Sequence, residues 1–143
     1  MNLLEVKDLV CGYNGKDVIK GISFSIRNGE FLGILGPNGA GKTTLFRAIS
    51  SILKLSAGKI YYQEKELAKI PVREFARSVA ILPQMLEVSF SFSVEEFVSM
   101  GRFSHRGRLE GFGKEDRLAV EKAMEMTEVS NLREKNINQL SGG

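Results

Sequence analysis

Apolar and polar residues alternate near the start of the chain. Leu3 to Val10 is apolar and inclined to β structure, and Ile22, Phe24 and Ile26 alternate with polar neighbours. A period of two predicts a strand with one buried face. Asn14-Gly15 lies between the two stretches and is a hairpin turn signal. The first segment of the chain is therefore expected to be an antiparallel β structure.

A strand, a glycine-rich loop and a helix are predicted next. After a turn at Asn28-Gly29, the run Phe31 to Leu35 is apolar without alternation, which predicts a central strand covered on both faces. The loop follows, and helical spacing of apolar residues then predicts a helix from Lys42 to Leu53.

Shorter elements are predicted in the middle of the chain. Lys59 to Tyr62 and Val79 to Leu82 are short apolar runs, read as strands. Pro71 is suited to the first turn of a helix over Val72 to Arg77. Ser93 and Glu96 form a capping box, which predicts a helix from Val94 to about Met100.

The last third of the chain is predicted to be helical. Gly101 to Gly113 is a loop rich in Gly and Arg, and Lys114 to Thr127 is an amphipathic helix. The apolar members of this helix include Leu118, Ala119, Ala123 and Met126. The order of elements predicts an α/β chain with an N-terminal antiparallel β subdomain and an α-helical subdomain.

Composition narrows the class of protein. The chain has 143 residues, 20 basic and 17 acidic, with a net charge of +3, so charge does not argue for a nucleic-acid or anionic-lipid partner. Cys11 is the single cysteine, which excludes an internal disulfide and favours a reducing compartment. No apolar run reaches the roughly 18–20 residues of a membrane span. A soluble cytoplasmic protein is expected.

A glycine-rich segment of the chain matches the phosphate-binding pattern G-x-x-x-x-G-K-[ST]. Its residues are Gly36-Pro37-Asn38-Gly39-Ala40-Gly41-Lys42-Thr43. Glycines let backbone N–H groups turn toward an anion, and the following helix directs its positive end at the phosphates. Lys42 is expected to reach the β- and γ-phosphates, and the Thr43 hydroxyl to ligate Mg²⁺. The alternative is a chance glycine-rich turn. The strand expected before the loop and the helix after it favour nucleotide binding.

The whole chain, residues 1–143, resembles the N-terminal part of an ABC transporter ATP-binding subunit. Four features carry the resemblance: Tyr13, the loop Gly36 to Thr44, Gln84 after Pro83, and Leu140-Ser141-Gly142-Gly143. Apart from the loop, each feature alone is weak, since Tyr13 fits a packing role, Gln84 a polar loop and the last residues a flexible end. Their order along the chain is what identifies the family.

The resemblance implies a P-loop ATPase core and a set of site residues. Tyr13 would stack on adenine. Gln84 would act in catalysis by contacting Mg²⁺ or the attacking water, and Thr43 would be a further ligand of the Mg²⁺ ion. The residues implied in ATP binding are Tyr13, Gly36, Pro37, Asn38, Gly39, Ala40, Gly41, Lys42, Thr43, Thr44, Ser141, Gly142 and Gly143. The implied cofactors are ATP and Mg²⁺.

A finer resemblance concerns transport. Ala76 to Gln84 and Val98 to His105 are similar to importers of iron–siderophore complexes, haem or cobalamin. The implied partners are transmembrane permease subunits and a second ATP-binding subunit, with no nucleic acid, at the cytoplasmic face of the membrane. His105 is read as an exposed loop residue.

The resemblance also implies that the chain is truncated after the signature motif. The family's Walker B strand, catalytic base and switch histidine have no counterpart in the sequence. We therefore expect slow or absent ATP hydrolysis by this chain alone, because loss of a general base costs about 10²–10⁴-fold. We also expect marginal folding or aggregation.

Two other functions remain open from the sequence. One is a nucleotide-binding module without catalysis that regulates another complex. The other is a soluble ABC ATPase of DNA repair or translation, against which the importer-like stretch after Gln84 argues.

Overall fold

The computed structural model describes residues 1–83, 90–107 and 110–140. The chain divides into two units, Met1–Phe75 and Ala76–Gly143. The first unit contains the β-sheet and the glycine-rich loop, and the second is helical. The antiparallel and helical parts of the predicted fold are confirmed.

The sheet of the first unit has four antiparallel strands in the order β2-β1-β3-β4. The turn joining β1 to β2 has positive φ at both central residues, 51° at Asn14 and 75° at Gly15, as a tight hairpin with right-handed strand twist requires. The predicted hairpin and the predicted strand over Lys59 to Tyr62 are confirmed. The strands are β1 (Asn2–Tyr13), β2 (Lys16–Arg27), β3 (Ala57–Tyr62) and β4 (Lys65–Glu66).

One face of this sheet and the helix α1 (Lys42–Ile49) supply the core of the first unit. Phe24 and Ile26 are half-buried as the alternation predicts, whereas Ile22 is exposed. Because α1 follows the loop directly, the buried side of this helix anchors the loop to the sheet. The core consists of apolar side chains from the sheet, from α1 and from the segment that follows β4: Leu4, Val6, Leu9, Cys11, Ile19, Leu45, Ala48, Ile60, Leu67 and Phe75.

Two predicted helices end earlier than expected. The helix predicted to reach Leu53 stops at Ile49, because Ser51 takes a left-handed conformation with φ 61°. The Leu53 N–H then donates to the Arg47 carbonyl at 3.0 Å, which closes the helix end. The helix α2 (Val72–Phe75) begins after Pro71 as predicted but makes a single turn.

Two predicted strands are wrong. Phe31 to Leu35 has no strand partner among the described residues, and Phe31 and Leu35 are 95% and 96% exposed. Val79 to Leu82 likewise forms no strand in the described part of the chain. A strand is defined by its hydrogen-bonded neighbours, so an apolar run adopts this structure only where a partner edge is present.

The second unit packs two helices, α3 (Val94–Met100) and α4 (Lys114–Met126). The predicted capping box is confirmed: the Glu96 N–H donates to the Ser93 hydroxyl at 3.2 Å, and the Ser93 N–H donates to the Glu96 carboxylate at 2.8 Å. Val94, Val120 and Met124 form the core, against which Val98, Val129, Leu132 and Leu140 pack.

The buried face of α4 agrees with the predicted one in part, since Ala119 and Ala123 are half-buried. Leu118 and Met126 are exposed, whereas Val120 and Met124 are buried together with Asp116. The Asp116 carboxylate accepts hydrogen bonds from Arg102 Nε at 2.9 Å and from the Gly113 N–H at 3.0 Å. A charged residue therefore occupies part of the buried face, which an apolar pattern alone does not predict.

Candidate functional site

The loop from Gly36 to Gly41 lies at the start of α1, with Gly36 to Ala40 exposed and Gly41 half-buried. Gly39 and Gly41 have φ of 81° and 90°, a region in which residues other than glycine are strained. The Ala40 N–H donates to the Pro37 carbonyl at 3.2 Å. The glycines thus allow a tight reversal of the backbone just before the helix.

Gly41 fits closely against the β1–β2 hairpin. A Cβ atom at this position would lie 2.8 Å from Ile19 Cδ1 and 3.1 Å from Val18 Cγ1. Gly41 is also the N-cap of α1, so β2 lies directly against the start of the helix. The sequence motif requires a glycine at this position for two structural reasons. One is the positive φ of Gly41, and the other is its close contact with Val18 and Ile19.

Lys42 folds back across the loop. Its Nζ donates to the carbonyl oxygens of Gly36 at 2.6 Å and Pro37 at 2.8 Å. An ammonium has three N–H donors. Two of them make these bonds, and the third makes no hydrogen bond within the described part of the chain. The positive charge is therefore held over the loop with a donor still available to an anion.

The first turn of α1 adds further positive potential. The Leu45 N–H makes the first helical bond, to the Gly41 carbonyl at 2.9 Å, so the N–H groups of Lys42, Thr43 and Thr44 have no partner within the helix. The first turn contains no acidic residue. Thr44 is buried and Thr43 is exposed, so only the Thr43 hydroxyl is accessible to a ligand at this point.

Tyr13 lies at the end of β1, with its side chain 39% exposed. Its hydroxyl accepts a hydrogen bond from Arg47 Nη1 at 3.1 Å. The Arg47 guanidinium carbon is 5.9 Å from the centre of the tyrosine ring, within cation–π range. The predicted adenine-stacking residue is thus joined through Arg47 to the helix that follows the loop.

Several predicted site residues lie outside the described part of the chain. These are Gln84 and the signature residues Ser141, Gly142 and Gly143, so their predicted roles stay predictions. His105 is an exposed loop residue, as predicted. No group of three or more His, Cys, Asp or Glu side chains placed to hold a metal occurs among residues 1–83, 90–107 and 110–140.

Sequence reasoning missed Arg47, Val18 and Ile19. Arg47 is 34 positions from its partner Tyr13, and Val18 and Ile19 look like ordinary strand residues. No local pattern marks such contacts, since they depend on where the hairpin meets α1. The one available signal for Arg47 was its position in the last turn of the helix that begins with Lys42.

Comparison with known proteins places the chain in a family. The ABC transporter family profile matches residues 19–143. The iron(3+)-hydroxamate import ATP-binding protein FhuC of Bacillus subtilis is 36% identical over 146 residues, covering 100% of this chain and 53% of the relative. The hemin import ATP-binding protein HmuV of Pseudomonas entomophila is 38% identical over 142 residues, covering 99% of this chain and 54% of the relative.

A solved structure agrees with this assignment. The structure of cbiO1 from Clostridium perfringens, part of the ABC transporter complex cbiONQ, superposes with a TM-score of 0.75 at 32% identity, covering 98% of this chain and 56% of that one. The chain therefore spans about half the length of the curated relatives described above. The match of the family profile from Ile19 onward, the loop geometry and the structural similarity show together that the chain belongs to the ABC transporter family.

Proposed function

We propose that this chain binds Mg²⁺-ATP through the loop Gly36 to Thr44. The observation that carries the proposal is the position of Lys42, whose ammonium lies over the loop on the Gly36 and Pro37 carbonyls. The open N–H groups of the first turn of α1 add a second set of donors. Each charge-assisted bond to a phosphate oxygen contributes about 1.5–3 kcal/mol.

Tyr13 supports the proposal at the nucleobase. A half-exposed ring at the end of β1 offers a face for stacking on adenine. Base–aromatic stacking is worth about 1–3 kcal/mol in nucleic-acid sites. Phosphate contacts by the loop and base contacts by Tyr13 together favour a nucleoside triphosphate over a free phosphate.

The residues of the loop fit a Mg²⁺ ion bound together with nucleotide. Mg²⁺ keeps several waters and takes one or two protein ligands plus phosphate oxygens, so a cluster of acidic side chains is not required. The exposed Thr43 hydroxyl is suitably placed at the helix start. Mg²⁺ would supply charge neutralisation between the phosphates, and Gln84 is proposed as the second ligand.

At the level of the whole protein, we infer an ATP-binding, energy-coupling subunit of an importer. FhuC and HmuV are named as import ATP-binding proteins for iron(3+)-hydroxamate and hemin, which supports an iron–siderophore, haem or cobalamin substrate. Permease subunits and a second ATP-binding subunit are the proposed partners, with Ser141, Gly142 and Gly143 contacting ATP.

The location of the protein and its ATP hydrolysis are inferred from the same relatives. No helix of the described residues has the length and apolar character to cross a membrane. The proposed location is the cytoplasmic face of the membrane, held there by the permease. ATP hydrolysis is proposed for the intact protein, with Gln84 in a catalytic role, and slow hydrolysis by this chain alone stays a prediction.

Calorimetric titration of the chain with Mg²⁺-ATP tests the proposal. Lys42→Ala should weaken binding about 10- to 100-fold, since roughly 1.5–3 kcal/mol is lost. Lys20→Ala removes an exposed cation from β2 and is the matched control, expected to bind as the wild type does. Equal losses in the two variants, or no binding by the wild type, would refute the proposal.

A further inference from the structure

The end of β1 and the last turn of α1 are joined by one side chain. Arg47 Nη1 donates to the Tyr13 hydroxyl at 3.1 Å, and the guanidinium also lies near the ring, 5.9 Å from its centre. Both contacts come from the same group, so the guanidinium lies at the hydroxyl end of the ring and restrains the ring there. A single rotatable tyrosine at a strand end would otherwise sample several rotamers.

The backbone of Arg47 is itself restrained by hydrogen bonds. Its carbonyl accepts hydrogen bonds from the N–H groups of Ile52 at 2.9 Å and Leu53 at 3.0 Å. These bonds close the end of α1, the helix that starts at Lys42. The guanidinium therefore holds Tyr13 in a defined relation to the helix that presents the loop.

We propose that Arg47 is a positioning residue that holds the Tyr13 ring ready to stack on the base of a nucleotide whose phosphates lie in the loop. This inference rests on the proposed function. The guanidinium restrains the ring at its hydroxyl end, and the exposed part of the side chain receives the base. Arg47 touches neither phosphate nor base, and acts through Tyr13.

The alternative is a purely structural role, in which Arg47 only stabilises the end of its helix. A cation in the last turn interacts favourably with the helix dipole, and Arg47 is the basic residue there. Lysine satisfies this role as well as arginine does. It lacks the planar fork that reaches a hydroxyl and a ring at once, so Arg47→Lys separates the two roles.

The experiment compares two ligands by calorimetry, Mg²⁺-ATP and inorganic tripolyphosphate with Mg²⁺. Arg47→Met keeps the apolar stem and removes the guanidinium. It should weaken ATP binding about 2- to 10-fold, the range expected for one lost hydrogen bond, and leave tripolyphosphate binding unchanged. Arg47→Lys should recover part of the loss, and Arg47→Met should add nothing in a Tyr13→Ala background.

A matched control exists on the same sheet. Lys7 Nζ lies 5.2 Å from the centre of the Tyr61 ring, a contact of the same kind at a different tyrosine. Lys7→Ala should leave binding of both ligands unchanged. In the ligand-free chain labelled with ¹³C-tyrosine, Arg47→Met should shift the ring signals of Tyr13, and Lys7→Ala those of Tyr61.

The outcomes separate this inference from the function on which it rests. Equal weakening of ATP and tripolyphosphate by Arg47→Met would overturn the inference, since it indicates a general charge effect. Full recovery by Arg47→Lys, or a loss that persists without the Tyr13 ring, would overturn it too. A wild type that binds neither ligand overturns the proposed function and this inference together.

Discussion

The contact between Gly41 and the β1–β2 hairpin yields a quantitative prediction. Gly41→Ala places a methyl group 2.8 Å from Ile19 Cδ1 and 3.1 Å from Val18 Cγ1, at a φ of 90°. The left-handed conformation costs about 1–2 kcal/mol for a residue with a Cβ. Overpacking adds about 1–3 kcal/mol, because Ile19 is buried in the core and cannot turn away freely.

Gly39→Ala is the matched control for this prediction. Gly39 has a similar φ of 81°, and nothing lies within 4 Å of a Cβ atom there. It should therefore lose only the conformational part, about 1–2 kcal/mol. Urea unfolding followed by circular dichroism measures both variants. The free energy of unfolding should fall further for Gly41→Ala, by about 1–3 kcal/mol.

A second-site change tests the steric part directly. Ile19→Val removes Cδ1 and alone costs about 0.5–1.5 kcal/mol. Combined with Gly41→Ala it should be less destabilising than the sum of the two single changes, because the shortest contact is gone. Equal destabilisation by Gly41→Ala and Gly39→Ala, together with strict additivity in the double variant, would show that contact with Ile19 does not restrict the residue at position 41.

Three further predictions concern stability and solubility. Met124→Ala, at a fully buried core position, should destabilise the chain by about 2–5 kcal/mol. Met126→Ala, at a position 75% exposed, should change stability by less than about 0.5 kcal/mol. Thermal unfolding measures both variants, and similar effects would contradict the assignment of Met124 to the buried face of α4. The hydrogen bond from Arg102, with that from the Gly113 N–H, lowers the pKa of Asp116, so its stabilisation is present above the ordinary carboxyl pKa of about 4 and is lost as pH falls through the lowered value. Urea midpoints at several pH values should fall in acid less steeply for Asp116→Asn than for the wild type, and parallel curves would contradict this. Phe31→Lys should reduce self-association in sedimentation without changing the circular dichroism spectrum, because an exposed apolar side chain favours aggregation; a loss of secondary structure would show that Phe31 is packed.

Local signals predicted the parts of the fold that depend on nearby residues. The hairpin at Asn14-Gly15 follows from two residues that tolerate positive φ. The start of α3 follows from Ser93 and Glu96, whose side chains and backbones satisfy each other. The contacts that define each feature are made by neighbouring residues, so the sequence was sufficient for both. The N–H groups of Val94 and Glu95 donate in addition to the distant carbonyls of Lys135 and Arg133, which no local pattern indicates.

Features that depend on distant partners were not predictable. Phe31 to Leu35 has the composition of a central strand, yet strand formation requires a neighbouring edge. The buried face of α4 includes Asp116 because Arg102, on another segment, pairs with it. The residues of the loop were identified by their motif, but its contact with Ile19 and the Arg47–Tyr13 bond arise only when the hairpin and α1 meet.

In the proposed function, backbone N–H groups between Gly36 and Thr44 bind a polyphosphate. Two-dimensional ¹H–¹⁵N spectra of the chain, recorded while Mg²⁺-ATP is added, test this most directly. If these N–H groups hold the phosphates, the amide signals of Gly39, Gly41, Lys42 and Thr43 should shift most, in a saturable way, with the same shifts produced by inorganic tripolyphosphate. Saturable shifts confined to residues elsewhere in the chain, with the loop signals unmoved, would contradict the proposed function.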